Sequence, residues 1–240
     1  MNDHPIVCMI SSYKEGTLVQ STIKSAMGVA LVTFVSEGLT EPEGIEGPAT
    51  DLGIYRDHPL ADIRYHVGVW ESETAKRNSM LQEARRYFNG SDDFWILTLD
   101  ADEILVWGEY LHDYVSVLNP GRKSAENIPS FKLCQPVWIP VDEWKEDKYQ
   151  GRQPGWWTDT ATSHLFHASL IKRYLVGAWQ IETHDGLVAF LDAKPAPNLP
   201  MYGEPHIQHR PFLRRGDRAT LRSSDGEEKR WLEERGLQKS

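Results

Sequence analysis

Cysteine is scarce in this chain, and long apolar segments are absent from it. Cys8 and Cys134 are the only cysteines among 240 residues, and both lie in apolar, strand-like stretches. Buried free thiols are therefore expected rather than a disulfide. No apolar run approaches the ~20 residues of a membrane-spanning helix, and the first residues lack the basic region and apolar core of a signal peptide. The sequence predicts a cytoplasmic protein with no membrane span.

Basic residues are also in deficit. The chain has 26 Lys and Arg against 35 Asp and Glu, which gives a formal net charge of −9. Because phosphate backbones are bound by basic surfaces, this balance argues against a nucleic acid as the main partner. The length is enough for one sizeable α/β domain with its own core.

The most informative stretch covers residues 94–105. It begins with apolar, aromatic and β-branched residues, as a buried strand does, and then carries Asp100, Asp102 and Glu103. Carboxylates at the C-terminal end of such a strand lie at the ligand-binding edge of an α/β sheet. On an extended chain Asp100 and Asp102 share a side. Two such oxygen ligands suit Mg²⁺ or Mn²⁺, and substrate phosphates usually complete the coordination of the ion. The alternative is an acidic turn that only caps the next helix.

Hydrophobic patterns predict alternating strands and helices in the first half of the chain. We expect strands over 5–10, 31–35 and 63–70, and helices over 17–26, with Thr17 as a possible cap, and within 71–88. A strand, helix, strand order forms a right-handed crossover between parallel strands. The predicted fold class is therefore α/β with a mostly parallel central sheet.

The second half has weaker patterns. Residues 130–140 are predicted to form a strand, and their prolines indicate a sheet edge. Residues 142–162 are polar but carry four large aromatic side chains. A loop of that length predicts a flap that contacts a sugar or an acceptor, or alternatively a loop anchored by its tryptophans. Residues 216–240 are strongly charged and are expected to form a helix or tail.

Two of these segments carry a family resemblance. Residues 76–84, in which Arg77 and Asn78 open a helix, and residues 95–103, which end in Asp-Ala-Asp-Glu, resemble the centre of a family 2-type glycosyltransferase with the GT-A fold. The resemblance is good over about the first half and patchy after it. It implies a Rossmann-like mixed sheet flanked by helices. It also implies a single domain over 1–240, with a nucleotide-sugar-binding half (1–118), an acceptor-side half (119–215) and the charged tail.

The resemblance further implies a set of donor-binding residues. In the family, the turn after the first strand and an acid after the second strand hold the nucleoside base. Here these positions are Ser12, Tyr13, Glu15 and Glu37, with Ser11 and Lys14 where Pro and Asn are usual and Glu37 where Asp is usual. Ordinary turn chemistry is the alternative for Tyr13 and Glu15.

Arg77, Asn78 and Asp100 complete the expected donor site. An arginine in the first turns of a helix goes against the dipole preference, so Arg77 is expected to reach a base or a phosphate. Asp100 is expected to support the ribose or the waters of a metal. A solvated surface position is the alternative for Arg77.

A divalent ion, Mn²⁺ or Mg²⁺, is the expected cofactor. The resemblance implies that the DXD motif holds this ion on the diphosphate of a nucleotide-sugar, with Asp102 as the main ligand and Asp100 beside it. The family often adds a histidine from a late segment. Since Ile207 and His209 share one side of a strand while His206 faces the other, we expect His209 as that ligand and keep His206 in reserve.

A carboxylate near the acceptor hydroxyl would serve as general base if the reaction inverts the configuration at the anomeric carbon of the transferred sugar. Asp185 is the first candidate and Asp159 the second. A retaining reaction would need no such base. A plain turn is the alternative for Asp185.

The expected function is a metal-dependent glycosyltransferase that uses a UDP- or GDP-sugar and a sugar or protein acceptor. One rival is a nucleotidylyltransferase, whose activation turn is usually rich in Gly and Arg, unlike residues 11–16 here. The other is a non-catalytic sugar-binding protein that uses the nine tryptophans, but such a protein has no need of acids on one buried strand.

Overall fold

The protein is described by a computed structural model. The described residues are 5–12, 15–38, 50–59, 61–68, 70, 73–117, 130–139, 155–175, 178–182, 188–191, 194–195 and 203–209. Tyr13 and Asp185, and the charged segment 216–240, lie outside them.

The first half of the described chain alternates strands and helices. Its elements are β1 (Ile6–Ser12), α1 (Leu18–Ala26), β2 (Val32–Glu37), β3 (Asp62–Val67), α2 (Glu73–Tyr87), β4 (Trp95–Asp100), β5 (Glu103–Val106) and α3 (Leu111–Val117). The later elements are β6 (Ser130–Ile139), β7 (Gly155–His167), β8 (Ile171–Leu175), β9 (Ala178–Glu182), β10 (Val188–Leu191), β11 (Lys194–Pro195) and β12 (His206–His209). None of the described helices combines the length and the apolar character needed to cross a membrane.

Strands from both halves join one large mixed sheet. Its order is β3-β2-β1-β4-β7-β6-β12-β5, with β11 paired to β7, and β8, β9 and β10 form a separate antiparallel sheet. The first four strands are parallel to one another, in the order that opens a Rossmann-like sheet. β7 is antiparallel to β4, which makes the sheet mixed. The predicted α/β class, with helices flanking a central sheet, is confirmed.

Apolar side chains pack on both faces of the parallel half. Ile6, Cys8 and Ile10 alternate along β1 and pack with Val19 and Ile23 of α1. The intervening residues of β1 face the other way and pack with Met80, Leu81 and Ala84 of α2. Because β1 is covered on both sides, its continuous apolar run is the pattern of a buried parallel strand.

The structure corrects two expectations about the second half. β6 is not an edge strand, because it lies between β7 and β12. Its Pro136 is tolerated there because the β6–β7 register shifts at Gln135 and Pro136. Residues 155–162, expected in a long loop, belong to the 13-residue strand β7.

Candidate functional site

Three parallel strands end together at one edge of the sheet. In register, Ser12 at the end of β1 lies beside Glu37 at the end of β2, and Ser11 lies beside Asp100 at the end of β4. Neighbouring strands are about 5 Å apart, so these polar groups form one continuous edge. This is the edge at which α/β sheets bind ligands.

A hydroxyl from outside the sheet links the first two strand ends. Thr50 Oγ1 lies 2.6 Å from Glu37 Oε2, 3.0 Å from Ser12 Oγ and 3.2 Å from the backbone nitrogen of Glu15. Thr50, Ser12 and Glu37 are all buried. The expected donor-binding positions Ser12, Glu15 and Glu37 therefore meet in one hydrogen-bond network, which Thr50 completes.

Lys76 of α2 is buried at the same edge, with only 2% of its surface exposed. Its Nζ donates to the carbonyl of Ser12 at 2.6 Å and approaches the carbonyl of Gly38 at 3.4 Å. The ammonium thus binds backbone oxygens at the ends of β1 and β2, which compensates its burial.

Gly38 and Gly68 allow the backbone segments that follow β2 and β3 to approach each other closely. Gly38 has φ +142°, and a Cβ there would lie 1.7 Å from the carbonyl oxygen of Gly68. Trp70 packs over this crossing and donates from Nε1 to the carbonyl of Glu37 at 3.2 Å. The backbone that carries Glu37 is therefore held from several sides.

Arg77 points to the end of β4. Its Nη2 lies 2.6 Å from Asp100 Oδ1, and the two side chains are only 12% and 17% exposed. α2 begins at Glu73, so Arg77 and Asn78 lie in its second turn and do not open it; Asn78 donates to the carbonyl of Thr74 one turn earlier. Arg77 is thus an ion-pair partner of Asp100 rather than a solvated arginine; whether either residue touches a donor stays a prediction.

The acidic segment turns instead of continuing as an extended chain. Ala101 and Asp102 form the turn between β4 and β5. Asp100 and Asp102 are therefore not two alternate residues on one side of an extended strand, as was expected from the sequence. Thr22 of α1 donates to the carbonyl of Ala101 at 2.8 Å, and the Asp100 backbone nitrogen donates to Glu103 Oε2 at 2.6 Å. Both bonds fix the turn.

Asp102 and Glu103 are buried, and Asp102 has only 1% of its surface exposed. Asp102 is therefore a buried carboxyl group and not an exposed one. Burial raises the pKa of the Glu103 carboxyl, the His164 charge opposes that shift, and the Asp100 charge adds to it. The turn thus brings several carboxyl groups together in a place that water reaches poorly.

His209, and not His206, contacts this turn. His209 Nε2 lies 3.3 Å from Asp102 Oδ2 because β12 pairs with β5, placing His209 opposite Glu103. Burial alone would lower the pKa of His209, but its hydrogen bond to Asp102 and the nearby acids raise that pKa overall. His206 Nδ1 instead lies 2.9 Å from the carbonyl of Glu204.

His164 of β7 reaches the acidic turn from the antiparallel neighbour of β4. Its Nδ1 lies 2.7 Å from the carbonyl of Thr98 and 4.0 Å from Glu103 Oε2. Because Thr98 O can only accept, the bond indicates that Nδ1 carries a proton. His164 therefore adds a second imidazole to the acidic end of β4.

The acidic turn offers a small set of protein ligands for a divalent ion. Within the described ranges, no group of three or more His, Cys, Asp or Glu side chains is arranged to hold an ion. Two donor atoms bound to one ion at about 2.1 Å and at right angles would be about 3.0 Å apart. Asp102 Oδ2 and His209 Nε2 lie 3.3 Å apart, close to that separation, so both would fit one ion that displaced the proton of their hydrogen bond. Mg²⁺ commonly takes its remaining ligands from water and substrate phosphates.

The candidate general bases are not tested by this geometry. Asp185 lies outside the described residues, and for Asp159 only the backbone, within β7, is described. Sequence reasoning missed the site positions of Thr50, Lys76 and His164. Thr50 lies in a stretch rich in Gly, Pro and Glu that predicts only a loop, so no local pattern indicated its contacts.

No protein-family model and no curated protein matches the chain. Among solved structures, the chain is similar to a 4-diphosphocytidyl-2C-methyl-D-erythritol synthase, with 13% identity and a TM-score of 0.38 over 70% of this chain and 77% of that chain. It is also similar to TarS of S. aureus, with 11% identity and a TM-score of 0.36 over 69% of this chain. The chain spans 29% of the length of TarS. Neither likeness assigns a function to this chain.

Proposed function

We propose that the protein is a metal-dependent glycosyltransferase that moves a sugar from a UDP- or GDP-sugar to a hydroxyl of a sugar or protein acceptor. The observation that carries the proposal is the single sheet edge that holds Ser12, Glu37 and Asp100, with Arg77 and the acidic turn beside it. The pairing of β12 with both β5 and β6 supports a single GT-A-like domain that includes both halves.

The nucleoside is assigned to the ends of β1 and β2. An ionised carboxylate accepts hydrogen bonds, so Glu37 suits the N–H groups of uracil or guanine and the hydroxyls of ribose. Tyr13 is proposed to lie against the base, and Ser12 and Glu15 to line the turn. Arg77 binds Asp100 and so fixes the direction of that carboxylate. Asp100 is proposed to support the ribose.

The ion is assigned to the turn after β4. Asp102 and His209 would hold Mn²⁺ or Mg²⁺, with Asp100 as a further ligand or as a partner of the ion's waters. A bound ion would neutralise negative charge on the departing nucleoside diphosphate. The protein's own part is to keep Asp102 fixed, through the bonds from Thr22 to Ala101 and from the Asp100 nitrogen to Glu103.

The acceptor is assigned to the second half of the chain. For an inverting reaction, Asp185 is the proposed base that takes the proton of the attacking hydroxyl, with Asp159 as the second candidate. A retaining reaction would leave both without that role.

The test is incubation of the protein with UDP- and GDP-sugars labelled in the sugar, with Mn²⁺ and in EDTA. The proposal predicts metal-dependent release or transfer of the labelled sugar with at least one donor. Formation of a nucleotide-sugar from a nucleoside triphosphate and a sugar phosphate would instead indicate a nucleotidylyltransferase. Sugar binding with no turnover of any nucleotide would indicate a non-catalytic sugar-binding protein.

A further inference from the structure

Thr50 uses the whole hydrogen-bonding capacity of its hydroxyl at the proposed nucleoside site. A hydroxyl has one proton to donate and two lone pairs to accept. The carboxylate of Glu37 can only accept, so Thr50 donates its proton across the 2.6 Å contact. The Glu15 backbone N–H donates to Thr50, and Ser12 Oγ, 3.0 Å away, must therefore donate its proton to Thr50 as well.

The position of Thr50 is itself fixed by the protein. The next residue, Asp51, donates from its backbone nitrogen to the carbonyl of Gly16 at 2.8 Å, and its own carbonyl accepts from Gln20 Nε2 at 3.0 Å. Leu52 is fully buried in the core on the α1 side. Thr50 is thus anchored to the start of α1, although it is 38 residues from Ser12 and 13 from Glu37 along the chain.

The backbone at the ends of β1 and β2 has independent supports. Lys76 binds the carbonyls of Ser12 and Gly38, and Trp70 binds the carbonyl of Glu37. These contacts hold the strands but do not orient the side chains of Ser12 and Glu37. The Thr50 hydroxyl is bonded to both of those side chains.

We propose that Thr50 is a positioning residue of the nucleoside pocket, which orients the Glu37 carboxylate and fixes the Ser12 hydroxyl as a donor. This rests on the proposed nucleotide-sugar function, and it adds to that function a residue outside the parallel strands. Loss of the Thr50 hydroxyl should weaken nucleotide binding through Glu37, without a comparable effect on the chemical step.

The test compares Thr50→Val, which has nearly the same shape but no hydroxyl, with Thr50→Ser, which keeps the hydroxyl. Calorimetry with UDP and GDP in Mn²⁺ measures the dissociation constant. We expect Thr50→Val to weaken binding about tenfold and Thr50→Ser to stay within about twofold of the wild type, because a bond to a charged group is lost only in the valine variant. Thr33→Val, a buried threonine of β2 away from the strand end, is the matched control and should bind like the wild type.

A second comparison separates positioning from simple destabilisation. If Thr50 acts through Glu37, adding Thr50→Val to Glu37→Gln should raise the dissociation constant by less than about twofold further. The effects of two residues that act through the same contact are not additive in free energy. Steady-state kinetics should show a raised KM for the nucleotide-sugar with kcat changed less than about twofold, as expected for loss of uniform binding. If the valine variant does not fold, Thr50→Ala replaces it in every comparison.

Three results would overturn the inference. The first is a folded Thr50→Val protein that binds nucleotide like the wild type, and the second is a Thr50→Ser protein that binds as weakly as Thr50→Val. The third is a double variant of Thr50 and Glu37 whose dissociation constant rises by the full product of the two single effects. Any of these, with normal nucleotide binding by the wild type, leaves the proposed function standing. Absence of nucleotide binding by the wild type overturns the proposed function, and this inference with it.

Discussion

Breaking the ion pair between Arg77 and Asp100 should destabilise the fold far more than breaking an exposed pair on the same helix. Arg77→Met removes the guanidinium that pairs with the Asp100 carboxylate. Asp100 then remains close to two other acids, Asp102 and Glu103. Two unit charges about 4 Å apart attract by about 4 kcal/mol at an effective dielectric constant of about 20. After a discount for the partial exposure of both side chains, we expect a loss of about 2–3 kcal/mol in the free energy of unfolding.

The matched control is Arg86→Met. Arg86 pairs with Glu83 on α2, but its side chain is 68% exposed. Exposed pairs of this kind contribute less than about 0.5 kcal/mol. Both variants lose one arginine from one helix, so they differ mainly in the burial of the pair.

Urea unfolding in EDTA, followed by tryptophan fluorescence, measures both losses without a bound ion. The Arg77 variant should shift the midpoint down by about 1 M and the Arg86 variant by much less. Asp100→Asn should cost less than Arg77→Met, because it also removes one of three neighbouring acids. In the double variant of Arg77 and Asp100 the losses should fall short of additivity by at least about 1 kcal/mol. Equal losses for the two arginines, or full additivity, would refute the electrostatic account.

Three further predictions concern the acidic turn and the core. Asp102→Asn should lower the rate of sugar transfer in Mn²⁺ by at least about 100-fold, measured with labelled donor. Asparagine is chosen over alanine because the position is buried. A transfer rate within a few-fold of the wild type would show that Asp102 is not part of the site. His209→Ala should raise the Mn²⁺ concentration for half-maximal activity while His206→Ala has much less effect, because only His209 contacts Asp102; a larger effect at His206 in the same titration would contradict the assignment. The Cys8 thiol is buried, and burial raises its pKa, so in a Cys134→Ser background a thiol reagent should label Cys8 only after unfolding; rapid labelling of the native protein would show that β1 opens easily.

The parallel half of the fold could be predicted from the sequence because its signals are local. β1, β2 and β4 are apolar runs that end in polar residues, and α2 buries Met80, Leu81 and Ala84 as their spacing predicts. Ser12 and Glu37 were indicated by the family resemblance and not by a local pattern. The structure brings them to one edge with Asp100, since strands that run parallel end on the same side.

The remaining contacts of the site depend on residues distant in sequence. Lys76 is 64 residues from Ser12, and His164 is 66 residues from Thr98, so no local pattern indicates either contact. Asp100 and Asp102 were misjudged because the chain turns at Ala101, where the two-residue rule for strands fails.

β7 was missed for a different reason. Its residues 155–162 combine Gly, Trp, Asp and Thr and lack an apolar run, which resembles a polar loop. The strand forms because it pairs with β6 along most of its length. Its threonines and tryptophans favour strands, and this propensity was the signal that could have identified it.

The central claim is that the sheet edge with Glu37, Asp100 and Asp102 is a metal-dependent nucleotide site. Calorimetric titration of UDP and GDP into the wild type and into Asp102→Asn, each with Mn²⁺ and with EDTA, tests it most directly. The account predicts that one nucleotide binds the wild type at least about tenfold more tightly with Mn²⁺ than with EDTA, and that Asp102→Asn loses this difference. Equal affinity with and without Mn²⁺, or an Asp102→Asn protein that keeps the full metal effect, would contradict it.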